Sequence, residues 1–250
     1  FYAQNLFNLL GLWYNYIIVW KGGDTLYKLR LVYMKSKTSV YIPSIDICDV
    51  IAKALIRVGA KLSYSNGKNV KPEIVNASTL PIGFESDGEI CDVIIKEHMD
   101  IAYLVREINK TLPVGMIVLS AQYVDLESED INKRVYASTY EIKLVFEDSM
   151  FIGMNKKQIE DIKKWHRNMF EEYLAEPSIL ALKKTLYRQE RIDIKEDIID
   201  YKFLIDNRLK ITVYTKKDRN LNPEHIMSGY IEYINRDVKY NIKRIKILYE

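Results

Sequence analysis

Cysteine is scarce in this chain: Cys48 and Cys91 are the two among 250 residues. Two thiols cannot build a disulfide framework, a four-cysteine zinc site or the cysteine triad of a radical-generating iron–sulfur cluster. A reducing, cytoplasmic compartment is the expectation. Histidine is also sparse. His98, His166 and His225 lie far apart, none at ligand spacing from another His or Cys, so surface or helix-end positions are expected for them. An excess of one charge is missing: 37 Lys and Arg against 34 Asp and Glu leave a net charge of +3. That is too little to imply nucleic acid or an anionic membrane on charge alone. Also absent are a phosphate-binding glycine loop followed by Lys, a dinucleotide fingerprint and a GxSxG elbow. No catalytic residue, metal or cofactor is therefore expected. What is present is globular: 48% hydrophobic and 28% charged residues, enough chain for one large domain or two small ones.

The first twenty residues, FYAQNLFNLLGLWYNYIIVW, carry no charge; Lys21 is the first. The stretch is long enough to span a bilayer, but Gln4, Asn5, Asn8 and Asn15 interrupt it. It lacks the basic start and small-residue end of a signal peptide. Residues 1–25 are read as an uncharged leader outside the folded unit, ahead of a packed amphipathic helix and, last, a membrane anchor. Gly22-Gly23-Asp24 then breaks the chain.

From Leu26 to Lys35 apolar and charged residues alternate, which predicts a strand. Ser44 is expected to cap a helix with Ile47, Val50, Ile51, Ala54, Leu55 and Val58 on one face and Gly59 at its end. Short extended pieces follow at Leu62–Ser65 and Ile74–Ser78. A strand is expected over Glu89–Lys96, a second helix up to Pro113, and a closing strand over Met116–Val124. The order is βαββαβ. The second half repeats it. A strand around Tyr140–Phe146 leads to a helix from Lys156 with Ile159, Ile162, Trp165, Met169 and Tyr173 inward. A further helical stretch is expected to run to about Leu186. A hairpin spans Tyr201–Ile205 and Leu209–Tyr214, Asn222-Pro223 opens a helix, and Tyr240–Tyr249 is the last strand. The predicted fold is α+β, a tandem pair of ferredoxin-like domains over residues 26–126 and 135–250. The acidic segment Leu126–Arg134 is read as a solvated linker.

Two features point to a ligand. The loop from Tyr64 to Glu73 and the turn Leu80–Gly88 hold three of the ten Gly and two of the six Pro; such backbone specification in a loop marks function or a strained turn. Lys68 and Lys71, with Tyr64 near by, suit a phosphate backbone and a base face. A long turn with solvated lysines is the competing reading. The last strand carries Lys239, Lys243, Arg244 and Lys246 with Glu250 as the local countercharge. Arg244 and Lys246 are expected on one side, opposite Ile245 and Ile247. That basic strand suits RNA, or an edge protected by lysine against aggregation.

From Tyr27 to Tyr249 the sequence resembles the bacterial radical SAM-linked proteins, a domain of unknown function found beside or fused to radical SAM proteins. The resemblance rests on Ala54-Leu55-Ile56-Arg57-Val58-Gly59, Leu62-Ser63-Tyr64-Ser65-Asn66-Gly67, Asn69, Pro72, Ala77-Ser78, Leu80-Pro81-Ile82-Gly83, Glu85-Ser86 and Asp92. Two family histidines are replaced, at Ser44 and at Lys71, and a family glycine falls at Lys37. Any proton transfer or metal ligation by those histidines would be missing here. Asp46, Tyr64, Asn69 and Glu85 are retained and, with Lys35, Lys68, Lys71, Arg244 and Lys246, form the candidate ligand- or RNA-binding set. The resemblance implies a non-catalytic accessory or substrate-presenting role beside a radical SAM protein, with RNA as a further partner. A metal-independent RNA-processing enzyme and a pure protein-interaction module are the alternatives.

Overall fold

The computed structural model describes residues 25–184, 189–204, 207–216 and 218–250. The uncharged leader therefore lies outside the described residues, apart from Thr25. In the first half the chain runs β1 (Tyr27–Lys35), α1 (Ser44–Arg57), β2 (Ile74–Asn76), β3 (Glu85–Ile95), α2 (Ile101–Ile108) and β4 (Met116–Val124). The alternation in β1 and β3 buries Leu29, Leu31 and Tyr33 beside Cys91, Val93 and Ile95. Ile47, Ile51 and Leu55 of α1 and Leu104 and Ile108 of α2 close over them. Each such aliphatic side chain removed from water contributes about 1.5–3 kcal/mol. Ser44 is not the cap expected of it: Pro43 holds that place. The Ser44 hydroxyl instead donates to the Leu80 carbonyl at 2.7 Å and accepts from the Leu80 amide at 3.1 Å, tying α1 to a distant loop.

The second half begins with α3 (Ile131–Arg134) and β5 (Val135–Val145), then α4 (Lys156–Ala175), β6 (Leu180–Lys184), β7 (Gln189–Asp193), β8 (Ile198–Phe203), β9 (Arg208–Lys216), β10 (Arg219–Asn220), α5 (Pro223–Ile234) and β11 (Lys239–Tyr249). Two expectations fail here. The expected helical stretch is a strand over Leu180–Lys184, its last residues to Leu186 lying outside the described ones, because Pro177 ends the helix and turns Glu176 to extended backbone. Ala181 then pairs with Ile192 in a β6–β7 hairpin. That hairpin packs on α5 at Gly229, where a Cβ would lie 2.2 Å from the Tyr173 hydroxyl and 2.9 Å from the Leu180 carbonyl. The inward face of α4 is also turned from the expected one. His166, Phe170, Tyr173 and Leu174 are buried, while Trp165 is 37% exposed. His166 is thus a core residue. Tyr230 Oη donates to the His166 carbonyl at 3.0 Å, so His166 Nδ1, 3.1 Å away, is the donor to that oxygen.

A nine-stranded mixed sheet joins both halves in the order β10-β9-β5-β11-β3-β1-β4, with β2 on β3 and β8 on β9. All the pairings are antiparallel except β11 with β3, where Lys243 and Arg244 lie opposite Glu85 and Ser86. Directly opposed residues share a face. Lys35 and Arg244 both pair with Ser86, and Arg244 pairs with Tyr140, so the two cores open on one side of the sheet. On the other side Ile131, Val135, Ile90, Ala77 and Ile247 form a small third core. The linker acids Glu127 and Glu129 are exposed, but Ile131 anchors the segment. The free edge at β4 is blunted by Asn109, whose side-chain amide donates to the Val118 carbonyl at 2.9 Å and accepts from its N–H at 2.7 Å. No helix among the described residues is long and apolar enough to cross a membrane.

Two tests follow from this backbone. Lys37 has φ 52°, in the left-handed region, where a Cβ is strained. Lys37→Gly is expected to raise stability by about 0.5–1 kcal/mol, read as a higher urea midpoint. Burial holds the His166 imidazole below its ordinary value, and Arg236 acts in the same direction. The unfolded chain therefore takes up a proton that the native state resists. Stability from this group is complete above about pH 6.5 and falls on acidification. His225 is depressed by burial as well, so His166→Gln is expected to flatten, not abolish, the decline in melting temperature between about pH 7.5 and 5.5.

Candidate functional site

The parallel pairing of β11 with β3 brings Arg244 into the interior, where it is 0% exposed. Its Nη1 lies 3.0 Å from both Glu89 oxygens and donates to Ser78 Oγ at 2.9 Å. Nη2 donates to the Thr79 carbonyl at 2.6 Å, and Nη2 and Nε both reach Tyr140 Oη, at 3.0 and 3.2 Å. Burial opposes the charge most strongly, yet Glu89 and the Tyr140 oxygen hold the guanidinium above its ordinary pKa. Lys35 lies on the same face, also buried, with Nζ donating to the Ile42 carbonyl at 2.7 Å. Burial lowers its amine, Glu89 opposes that and Arg244 adds to it. Tyr33, opposite Glu89, is pushed well up by burial and then by the carboxylate. The seam thus contains a guanidinium, a lysine amine and one carboxylate, with Ser78 and Thr79 bonded to the guanidinium.

Two clefts open beside this seam. The larger, about 860 Å³, is lined by Ser78 and Thr79, by Lys133, Arg134 and Tyr136, and by Thr215 and Lys216 at the end of β9, with Glu129, Asp218 and Glu250 among its acids. The smaller, about 380 Å³, lies between Lys37, the Ile82–Glu85 turn and Tyr240–Lys243. Arg244 serves the first indirectly, because the two residues it anchors, Ser78 and Thr79, form part of the wall.

The candidate residues fall into separate places. Lys35 and Arg244 meet opposite Ser86 at the seam, whereas Glu85 pairs with Lys243 and is exposed. Asp46 is exposed in the first turn of α1. Tyr64, Lys68, Asn69 and Lys71 are exposed on a loop whose base pairs with the other end of β3, through Ser63 N to the Ile94 carbonyl. Ile94 and Ser86 are on the order of 25 Å apart along an extended strand. The basic strand does not form as expected. A bulge at Ile245 breaks the alternation, so Arg244 and Ile247 are both buried and Lys246 is exposed. Countercharges come from other elements: Glu147 for Lys239, Asp87 for Lys243 at 2.8 Å, and Glu89 for Arg244. Glu89 escaped the sequence reading, although a carboxylate on the face shared by Cys91, Val93 and Ile95 was the available signal. Tyr140 and the cleft residues of α3 carried no such signal.

Breaking the buried pair from one side strands a charge. Arg244→Met is expected to cost about 3–5 kcal/mol in urea unfolding, and Arg244→Met with Glu89→Leu less than either change alone. Additive losses would show that the two side chains are not energetically coupled.

The comparisons add a family and little else. No curated protein matches the sequence. One solved structure, described as the crystal structure of an unknown protein from Galdieria sulphuraria, aligns over 89% of this chain and 100% of that one, at 9% identity and a TM-score of 0.27. That likeness is too low to carry an argument. A family described as "Uncharacterized protein conserved in bacteria (DUF2344)" matches residues 28–223, which take in the seam strands β1 and β3, the exposed loop and most of the larger cleft. The chain belongs to this bacterial family of uncharacterized proteins.

Proposed function

We propose that the protein is a non-catalytic accessory that presents RNA, or another substrate of modification, to a radical SAM enzyme. The observation that carries this reading is the 64–72 loop. Its base is fixed by Ser65 N to the Lys71 carbonyl at 2.8 Å and by Lys71 N to Ser65 Oγ at 3.2 Å. Lys68, Asn69 and Lys71 project into solvent, and Tyr64 is 44% exposed. Two solvated cations beside an aromatic face suit a phosphate backbone and an unstacked base.

The sequence resemblance supplies the radical SAM association. The antiparallel orders β4-β1-β3-β2 and β11-β5-β9-β8 support reading residues 26–126 and 135–250 as two ferredoxin-like units. Binding is favoured over catalysis by how the reactive side chains are used. His98 stacks on Tyr123 at 4.5 Å, His166 is bonded to Tyr230, and burial pushes both thiols up, Cys91 the further.

The test is fluorescence anisotropy with labelled single-stranded RNA across a salt series. Binding is expected to weaken with salt, and Lys68→Ala/Lys71→Ala to lower affinity and reduce the slope of log K against log salt by about 1.4. Unchanged affinity and slope would remove the loop from the interface. Specific cleavage of the RNA would reassign the protein as an enzyme. Co-purification with the radical SAM partner, with and without residues 1–25, tests the association itself.

A further inference from the structure

We infer that the cleft of about 860 Å³ at the junction of the two halves is a site for one nucleotide unit, taken either as a free nucleoside monophosphate or as an unpaired residue of RNA. Its size is within the range of small-ligand pockets, and a seam between two packed halves is where such pockets concentrate. The lining supplies a partner for each part of a nucleotide. Tyr136 is 37% exposed in the cleft and offers a ring face to a base. Lys133 and Lys216 offer two ammonium groups for phosphate. Glu250 offers a carboxylate, the acceptor that ribose hydroxyls take in other nucleotide sites.

The hydroxyl-bearing wall is held before any ligand arrives. Ser78 Oγ already accepts from Arg244 at 2.9 Å. Thr215 Oγ1 is likewise held, 2.9 Å from Ser138 Oγ and 3.4 Å from the Val213 carbonyl. A wall fixed by a buried guanidinium loses little conformational freedom on binding. Acids in the cleft offset its cations, and this distinguishes it from a surface that binds any polyanion. A monoanionic or dianionic unit with donors of its own, a base and a sugar, satisfies both signs. The inference does not depend on the 64–72 loop, none of whose residues lines the cleft.

The four ribonucleoside 5′-monophosphates and inorganic phosphate, each titrated calorimetrically into the intact protein, provide the test. At least one monophosphate is expected to bind saturably and more tightly than phosphate. Tyr136→Ala should weaken it about tenfold or more, while Tyr136→Phe, which keeps the ring, should not. Lys133→Ala/Lys216→Ala should weaken it and reduce its salt dependence. No saturable binding by any of the four, or undiminished binding by Tyr136→Ala with an unchanged melting temperature, would overturn the assignment. A short single-stranded oligoribonucleotide then identifies the source. Tighter binding than the monophosphate assigns an RNA residue, and equal or weaker binding a free nucleotide. Lys68→Ala/Lys71→Ala should leave monophosphate binding unchanged, so loss of RNA affinity in that variant separates the loop from the cleft.

Discussion

A guanidinium cannot shed its charge, and once buried it must find acceptors for five N–H groups. Arg244 meets that demand with both Glu89 oxygens, Ser78 Oγ, the Thr79 carbonyl and Tyr140 Oη. These partners come from β3, from the segment before it and from β5. One side chain of β11 therefore specifies how the first half of the chain meets the second. Apolar packing would hold the halves together as firmly, but it tolerates sliding; a geometry with this many directed bonds does not. The single parallel pairing in the sheet lies at this point, with Lys243 and Arg244 opposite Glu85 and Ser86.

The rest of the molecule is arranged around that contact. Segment 78–80 is held from below by Arg244 and from the side by the Ser44 hydroxyl of α1. It therefore stands as a firm wall with the larger cleft on one side. Lys35 is buried on the same face, where burial lowers its amine and the Glu89 carboxylate opposes that. Arg244 spends its donors on acceptors within the protein, while the cleft and the exposed loop are open to solvent.

Much of the architecture was visible in one dimension. The alternation in β1, the helical spacing in α1 and the Asn222-Pro223 opening of α5 are local signals, and local hydrogen bonding and burial carry them into the structure unchanged. The exposed loop with Tyr64, Lys68 and Lys71 was readable for the same reason: its own turn residues fix it. Other signals misled because a distant element outweighed them. Leu180–Lys184 has the composition of a helix, yet the stretch pairs with β7 and packs on α5 at Gly229. In α4 the apolar pattern pointed to Trp165, but a hydrogen bond available from Tyr230 makes His166 the residue that can be buried.

Periodicity and turn chemistry were enough to establish an α+β chain, since both are written in neighbouring residues. Where charges end up is another matter. Arg244 reads as one member of a basic, solvated strand until Glu89, 155 residues away, is placed against it, and the bulge at Ile245 alone turns Lys246 outward. Burial of an ion depends on acceptors from remote segments, and no spacing along the chain encodes those. The cleft at the seam depends on the same long-range meeting, because its walls come from α3, β5, β9 and the Arg244-anchored segment, which become neighbours only when the two halves close on one sheet.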